Sequence, residues 1–113
     1  MNKEEILIKA AKEYFYSGGD EFNKKRYNSA VVLFFKSLVG FSDLYVFQKT
    51  GNTPSSHNDR FRITREKFPE VYEFLDKDFP FYQSSYVQIM SKELAEVIME
   101  DAKIMAEKTK TKL

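Results

Sequence analysis

Residues 29–49 read SAVVLFFKSLVGFSDLYVFQK, the most apolar stretch of the chain. On a helix, its apolar side chains face almost every direction, which predicts a central helix covered by its neighbours or by a partner chain. At 100° per residue, Ser29, Lys36, Gly40 and Asp43 fall on one narrow stripe of this helix. Turn residues follow at 50–54, and Asn28 or Ser29 suits the N-cap.

The stretch before this helix also has a helical pattern. Residues 3–25 carry apolar side chains at helical spacing with Lys and Glu opposite them, which predicts an amphipathic helix. Gly18 and Gly19 fall inside it, and two interior glycines are expected to weaken or kink it.

Turn residues and prolines divide the second half of the chain. The serines at 55–56 suit the N-cap of a third helix, and Phe-Pro at 68–69 is predicted to end it and to open a fourth. A second Phe-Pro at 79–80 predicts a break, followed by a further helical turn or two over residues 82–89. The last helix is predicted over residues 91–108.

These patterns contain no alternating strand and no repeat. They predict an all-α fold, an up-down helical bundle of four to five helices with a short helical insertion before the last helix. The length of 113 residues fits a single domain spanning residues 1–113.

Composition excludes several classes of function. The chain has 18 Lys and Arg against 17 Asp and Glu, so a nucleic acid would have to be bound by a local patch. Without cysteine and with one histidine, the chain has no multi-histidine or thiolate metal centre, and we expect no cofactor. Charges interrupt the N-terminal apolar positions, and no uncharged run is long enough to span a bilayer, so we expect a cytoplasmic protein with no membrane association.

The only histidine, His57, begins the third predicted helix. There it shares a stripe with Phe61, Thr64 and Phe68, so its ring is expected to face inward. Three roles remain open: a cap or a partner for a buried polar group such as Asp43, a contact to an anionic or nucleotide ligand, or acid-base catalysis.

Lys36 and Asp43 are unusual in so apolar a helix. Seven residues place them about 10 Å apart along the helix axis, too far for a direct ion pair. Each therefore needs another partner, and the candidates are His57, Arg60 or a group across a twofold axis. The alternative is a structural ion pair, or a lysine whose ammonium reaches solvent.

Arginines at 60, 62 and 65, with Lys67, form the densest basic cluster outside the C-terminal tail. They are either a solvated surface or a phosphate-binding group. Likewise, Tyr82 and Tyr86 either belong to the core or stack on bases. The predicted ligand-binding residues are Lys36, Asp43, Asn58, Arg62 and Arg65, and the candidate catalytic residues are His57 and Arg60.

The order of these segments resembles the HEPN superfamily, small prokaryotic helical bundles that commonly dimerise. The resemblance lies in "RYNSAVVLFFKSLVGFSDLYV", "GNTPSSHNDRF" and "FPEVYEFLDKDFPFYQSSYV". It implies one of two activities: metal-independent endoribonuclease, often a toxin, or partner of a minimal nucleotidyltransferase. The family's ribonuclease signature is an arginine followed after four to six residues by a histidine. His57 matches the histidine, but Thr50, Gly51 and Asn52 occupy the arginine positions.

The missing arginine would have stabilised the charge that grows on the phosphoryl oxygens, which is usually the larger catalytic contribution. We therefore expect a homodimeric, HEPN-like nucleotide- or RNA-binding partner of a minimal nucleotidyltransferase. One alternative is a ribonuclease toxin of a toxin-antitoxin pair that uses His57 and Arg60. The other is an interaction module without a small ligand.

Overall fold

A computed structural model describes all of residues 1–113 and contains five α-helices and no strand. The predicted all-α helical bundle is confirmed, with α3 and α4 as the shorter helices inserted before the last one. The helices are α1 (Lys3–Asn23), α2 (Tyr27–Thr50), α3 (His57–Lys67), α4 (Pro69–Ser84) and α5 (Lys92–Lys108).

Helix α2 is the centre of the bundle, as its apolar pattern predicts. It contacts α1, α4 and α5, and contributes seven residues to one core cluster of 17 buried residues, more than any other helix. Length and composition alone would allow α2 to cross a membrane, but 56% of its most apolar window is buried inside the bundle. That burial is typical of the core helix of a globular protein.

Small residues allow α1 and α2 to approach closely. A Cβ on Gly18 would lie 2.7 Å from the buried ring of Phe34, and a Cβ on Gly40 would lie 2.9 Å from Cβ of Ala11. The Ser37 hydroxyl also donates a hydrogen bond to the carbonyl of Ala11 over 3.0 Å. Helix α1 continues without interruption through both glycines, and Gly18 is a packing contact within it.

The two neighbouring glycines of α1 are expected to respond oppositely to alanine. Gly19→Ala meets no atom within 4 Å and should stabilise the protein by up to about 1 kcal/mol, since alanine is the better helix former. Gly18→Ala forces its methyl group against Phe34 and should destabilise by about 1–3 kcal/mol. Urea denaturation of both variants checks this, and equal effects at the two positions would contradict the packing role of Gly18.

The corner between α1 and α2 differs from its prediction. Helix α1 ends at Asn23, and α2 begins at Tyr27 with no side-chain cap. The side chain of Asn28, the expected cap, instead bonds to backbone atoms of residues 85–90. The side chain that was expected to cap α2 therefore binds a segment that is distant in the sequence.

The helix break predicted before Pro80 is also wrong, because α4 continues through it. Proline has no N–H, so the carbonyl of the exposed Asp76 loses its helical partner where water can replace it. Meanwhile, the rings of Phe79 and Tyr82 lie 6.0 and 4.8 Å from the ring of Phe35. We infer that this packing outweighs a proline penalty of about 3 kcal/mol. The turns predicted for residues 82–89 are helical only as far as Ser84.

Candidate anion-binding cleft

An open cleft of about 320 Å³ lies where α1, α2, α3 and α4 meet. Helix α2 contributes half of its lining, and each of the other three helices contributes one or two side chains. Three residues singled out in the sequence lie in this one cleft: Lys36 of α2, and His57 and Arg60 of α3. The full lining is Tyr14, Phe35, Lys36, Val39, Gly40, His57, Arg60 and Tyr82.

Helix α3 begins with the predicted serine cap. The Ser56 hydroxyl accepts a hydrogen bond from the Asp59 N–H over 3.0 Å, while the N–H and hydroxyl of Ser55 donate to the Asp59 carboxylate. The Ser55 N–H, and then the hydrogen bond from Arg62, hold the pKa of Asp59 below its usual range. Because Ser56 is the cap, His57 is free of that role and lies in the first turn of the helix.

Arg60 is fixed by a two-point ion pair with Asp43. Its Nε lies 2.7 Å from Oδ1 and its Nη2 lies 2.9 Å from Oδ2 of that carboxylate. Both side chains are only 15% exposed, so the pair is largely removed from water. Asp43 therefore orients the guanidinium of Arg60. Arg60 in turn is the partner that the sequence analysis expected for the charge of Asp43.

The remaining nitrogen of that guanidinium, Nη1, lies 3.2 Å from Nδ1 of His57. A guanidinium can only donate, so Nδ1 accepts, and a neutral His57 carries its proton on Nε2. Loss of water around the ring, and then the charge of Arg60, lower the pKa of His57 against the opposing effect of Asp43. The ring also packs against Phe61 and Phe79, at centroid distances of 4.9 and 4.6 Å. His57 is accordingly a neutral hydrogen-bond donor at pH 7.

Lys36 is the cation of the cleft that no carboxylate neutralises. It takes part in none of the ion pairs of the chain, and its exposed side chain places Nζ 5.8 Å from the centroid of the Tyr14 ring. The alternative in which this lysine reaches solvent from an apolar helix is therefore the observed one. Its ammonium group is available to an anion.

Aromatic side chains form the apolar wall of the cleft. Tyr82 stacks on Phe35 with their ring planes 23° apart, and Tyr14 is 38% exposed. The sequence pattern assigned Tyr14 to the core stripe of α1, and neither it nor Phe35 was predicted as a site residue. No local signal distinguishes them, because only the meeting of α1, α2 and α4 brings Tyr14, Phe35 and Tyr82 around one cleft.

Three predicted ligand residues lie outside the cleft. Arg62 pairs with Asp59 over 2.6 Å and with Glu66 over 3.4 Å. Asn58 and Arg65 are exposed elsewhere on α3. A ligand role for these three stays a prediction that the cleft does not require.

No group of three or more His, Asp or Glu side chains has the arrangement of a metal site. The chain matches no known protein-family model, and no curated protein shows significant similarity to it.

Proposed function

We propose that the protein is a HEPN-like binding protein that holds a nucleotide or a segment of single-stranded RNA in this cleft. One observation carries the proposal: an unpaired ammonium and a guanidinium-imidazole pair line the same cleft as two tyrosine rings. Cationic and N–H donors suit a phosphate group, and aromatic faces stack on bases without regard to sequence.

The charges of the cleft favour a singly charged phosphate. Asp43 neutralises Arg60, and the lowered pKa leaves His57 uncharged at pH 7, so Lys36 supplies the one uncompensated positive charge. A phosphodiester carries a single negative charge, whereas a nucleoside triphosphate carries several. The internal phosphates of single-stranded RNA are thus the better electrostatic match.

Binding without cleavage is better supported than the ribonuclease alternative. Metal-free cleavage needs a base that accepts the proton of the 2′-hydroxyl and a cation that stabilises the phosphoryl oxygens. Nδ1 of His57 already accepts from Arg60, and Nε2 holds a proton. Two of the three guanidinium nitrogens of Arg60 are bound to Asp43. Neither group is free for the role that cleavage assigns to it.

Homodimerisation and partnership with a minimal nucleotidyltransferase are part of the same proposal, and both rest on the family resemblance. Sedimentation of the purified protein at micromolar concentration tests the first. Co-purification with the product of a neighbouring nucleotidyltransferase gene tests the second.

Lys36→Gln is expected to weaken the binding of fluorescein-labelled oligouridylate by about tenfold, because it removes one charge-assisted contact to phosphate. Fluorescence anisotropy measures this. Lys49→Gln is a matched control, since Lys49 is also an exposed lysine of α2, with its ammonium 5.3 Å from the Tyr45 ring. Equal affinities of the wild type and Lys36→Gln for the RNA would show that this cleft is not the binding site.

The RNA should remain intact when it is incubated with the protein in EDTA. Denaturing gel electrophoresis reads this directly. Cleavage by the wild type that is lost in both His57→Ala and Arg60→Ala would overturn the non-catalytic proposal in favour of the ribonuclease.

A further inference from the structure

Three strongly exposed apolar side chains lie close together between α4 and α5. Tyr86, Val87 and Ile89 are 73%, 82% and 93% exposed, and we call these three residues the apolar tip. Single exposed apolar residues are ordinary on a protein surface, but three within four positions form a patch of the kind that marks an interaction site.

The backbone of the apolar tip is held in place by one side chain of α2. The amide nitrogen of Asn28 donates to the carbonyls of Ser85 and Gln88, over 2.9 and 2.7 Å, and its oxygen accepts from the N–H of Met90 over 2.9 Å. Met90 itself is buried in the core. Because these bonds order the segment before any partner arrives, binding there requires little additional loss of chain entropy.

Positive charge flanks the apolar tip on one side. Lys24, Lys25 and Arg26 are exposed at the corner between α1 and α2, and we call them the basic corner. Lys25 and Arg26 line a small groove together with Ile89. Only Arg26 has a carboxylate neighbour, Glu21 at 3.5 Å.

A second groove, which we call the apolar groove, adjoins Tyr86 of the tip. It encloses about 380 Å³ between α2 and the tip, and its apolar lining is Val32, Leu33 and Tyr86. A concavity of this size accepts one or two inserted side chains.

We propose that the apolar tip and the basic corner are a docking surface for an acidic segment of another protein that carries apolar side chains. The apolar groove receives those side chains, and Lys24 and Lys25 face carboxylates of the partner. This surface adjoins the anion-binding cleft, because the hydroxyls of Tyr86 and Tyr82 lie 3.1 Å apart. It shares no lining residue with the cleft, so the inference does not depend on the proposed function.

The same observations disfavour two other occupants. A flat lipid surface would cover the tip but leave the groove beside it unfilled, whereas a peptide side chain fills it. A second copy of the chain on this face would bring two basic corners together around a twofold axis, and like charges would repel.

The test uses a fluorescein-labelled amphipathic helix composed of leucine and glutamate, and a counterpart with lysine in place of glutamate. Fluorescence anisotropy should show that the wild type prefers the leucine-glutamate peptide. The double variant Val87→Ser/Ile89→Ser and the charge reversal Lys24→Glu/Lys25→Glu should each weaken its binding by about tenfold or more. Ile6→Ser replaces an apolar side chain that is 52% exposed near the opposite end of α1, and it should bind as the wild type does.

The proposal is overturned by equal binding of the two peptides, or by tip variants that bind as well as the wild type. Two parallel measurements distinguish the other occupants. Cosedimentation with phosphatidylserine vesicles that the tip variants lose, without peptide binding, would assign the surface to membranes. A dimer in sedimentation velocity that the tip variants lose would assign it to self-association.

Discussion

Replacing Asp78 with asparagine is expected to stabilise the protein relative to the wild type, by about 3 to 4 kcal/mol more at pH 8 than at pH 5. Asp78 lies on α4 with none of its surface exposed, and no donor reaches either oxygen when both Asp78 and Asp101 are ionised. Its neighbour across the bundle is Asp101 of α5. Lys77 lies 2.8 Å from the Asp101 carboxylate and 4.0 Å from that of Asp78, too far to satisfy the buried group.

Burial raises the pKa of Asp78 to about 8, helped by a hydrogen bond shared with Asp101 and by the negative charge of Asp101. That bond exists only while one of the two carboxyls is protonated, because two carboxylates are both acceptors. The unfolded chain loses the proton near the ordinary value of 3.8. Between these pH values the folded state binds the extra proton, so the free energy of unfolding falls with rising pH, by at most about 1.4 kcal/mol per unit. Above pH 8 this loss is complete.

Urea denaturation from pH 5 to pH 9 measures the difference between Asp78→Asn and the wild type. The difference is the informative quantity, since His57, with its lowered pKa, contributes the opposite slope near the lower end of this range. Asp76→Asn changes an exposed carboxylate on the same helix and should follow the wild-type profile. If Asp78→Asn kept the wild-type slope, the buried carboxyl would not be the proton-binding group.

The second large effect is expected at the pair that fixes Arg60. Asp43→Ala should destabilise the protein by about 3 kcal/mol, because it leaves a largely buried guanidinium without its counter-charge. It also leaves Arg60 as a second uncompensated positive charge in the cleft, so RNA binding by the folded variant should become stronger. Arg62→Ala is the control, on the helix that carries Arg60: Arg62 is 53% exposed, so losing its ion pairs should cost less than about 1 kcal/mol.

A double-mutant cycle separates the pair from its members. The variant Asp43→Ala/Arg60→Ala should be less destabilised than the sum of the two single variants, because removing both charges leaves neither one unpaired. Circular dichroism of each variant establishes that it is folded before its RNA affinity is compared. Strict additivity of the two changes would show that the observed contact contributes no coupling.

The elements of the bundle could largely be predicted because their signals are local. The period of apolar residues in α1, α2 and α5, and the serine that caps α3, depend on side chains within a turn or two of one another. The predictions that failed concern positions at which a group distant in the sequence competes with the local signal. We infer that Pro80 stays inside α4 because Phe35 of another helix packs against Phe79 and Tyr82 on either side of it. Asn28 does not cap α2 because it bonds to residues 85–90.

By itself, the sequence determined the helical class, the central position of α2, and the candidate group of Lys36, Asp43, His57 and Arg60. Only the tertiary structure decided which of these meet: Asp43 with Arg60, Arg60 with His57, and Lys36 with the rings of Tyr14 and Tyr82 around one cleft. The physical reason is the separation along the chain of the residues that determine each feature. Helix formation and capping depend on neighbours a few residues away, whereas a binding site depends on how separate helices pack, and here Gly18, Gly40 and Ala11 set the approach of α1 to α2.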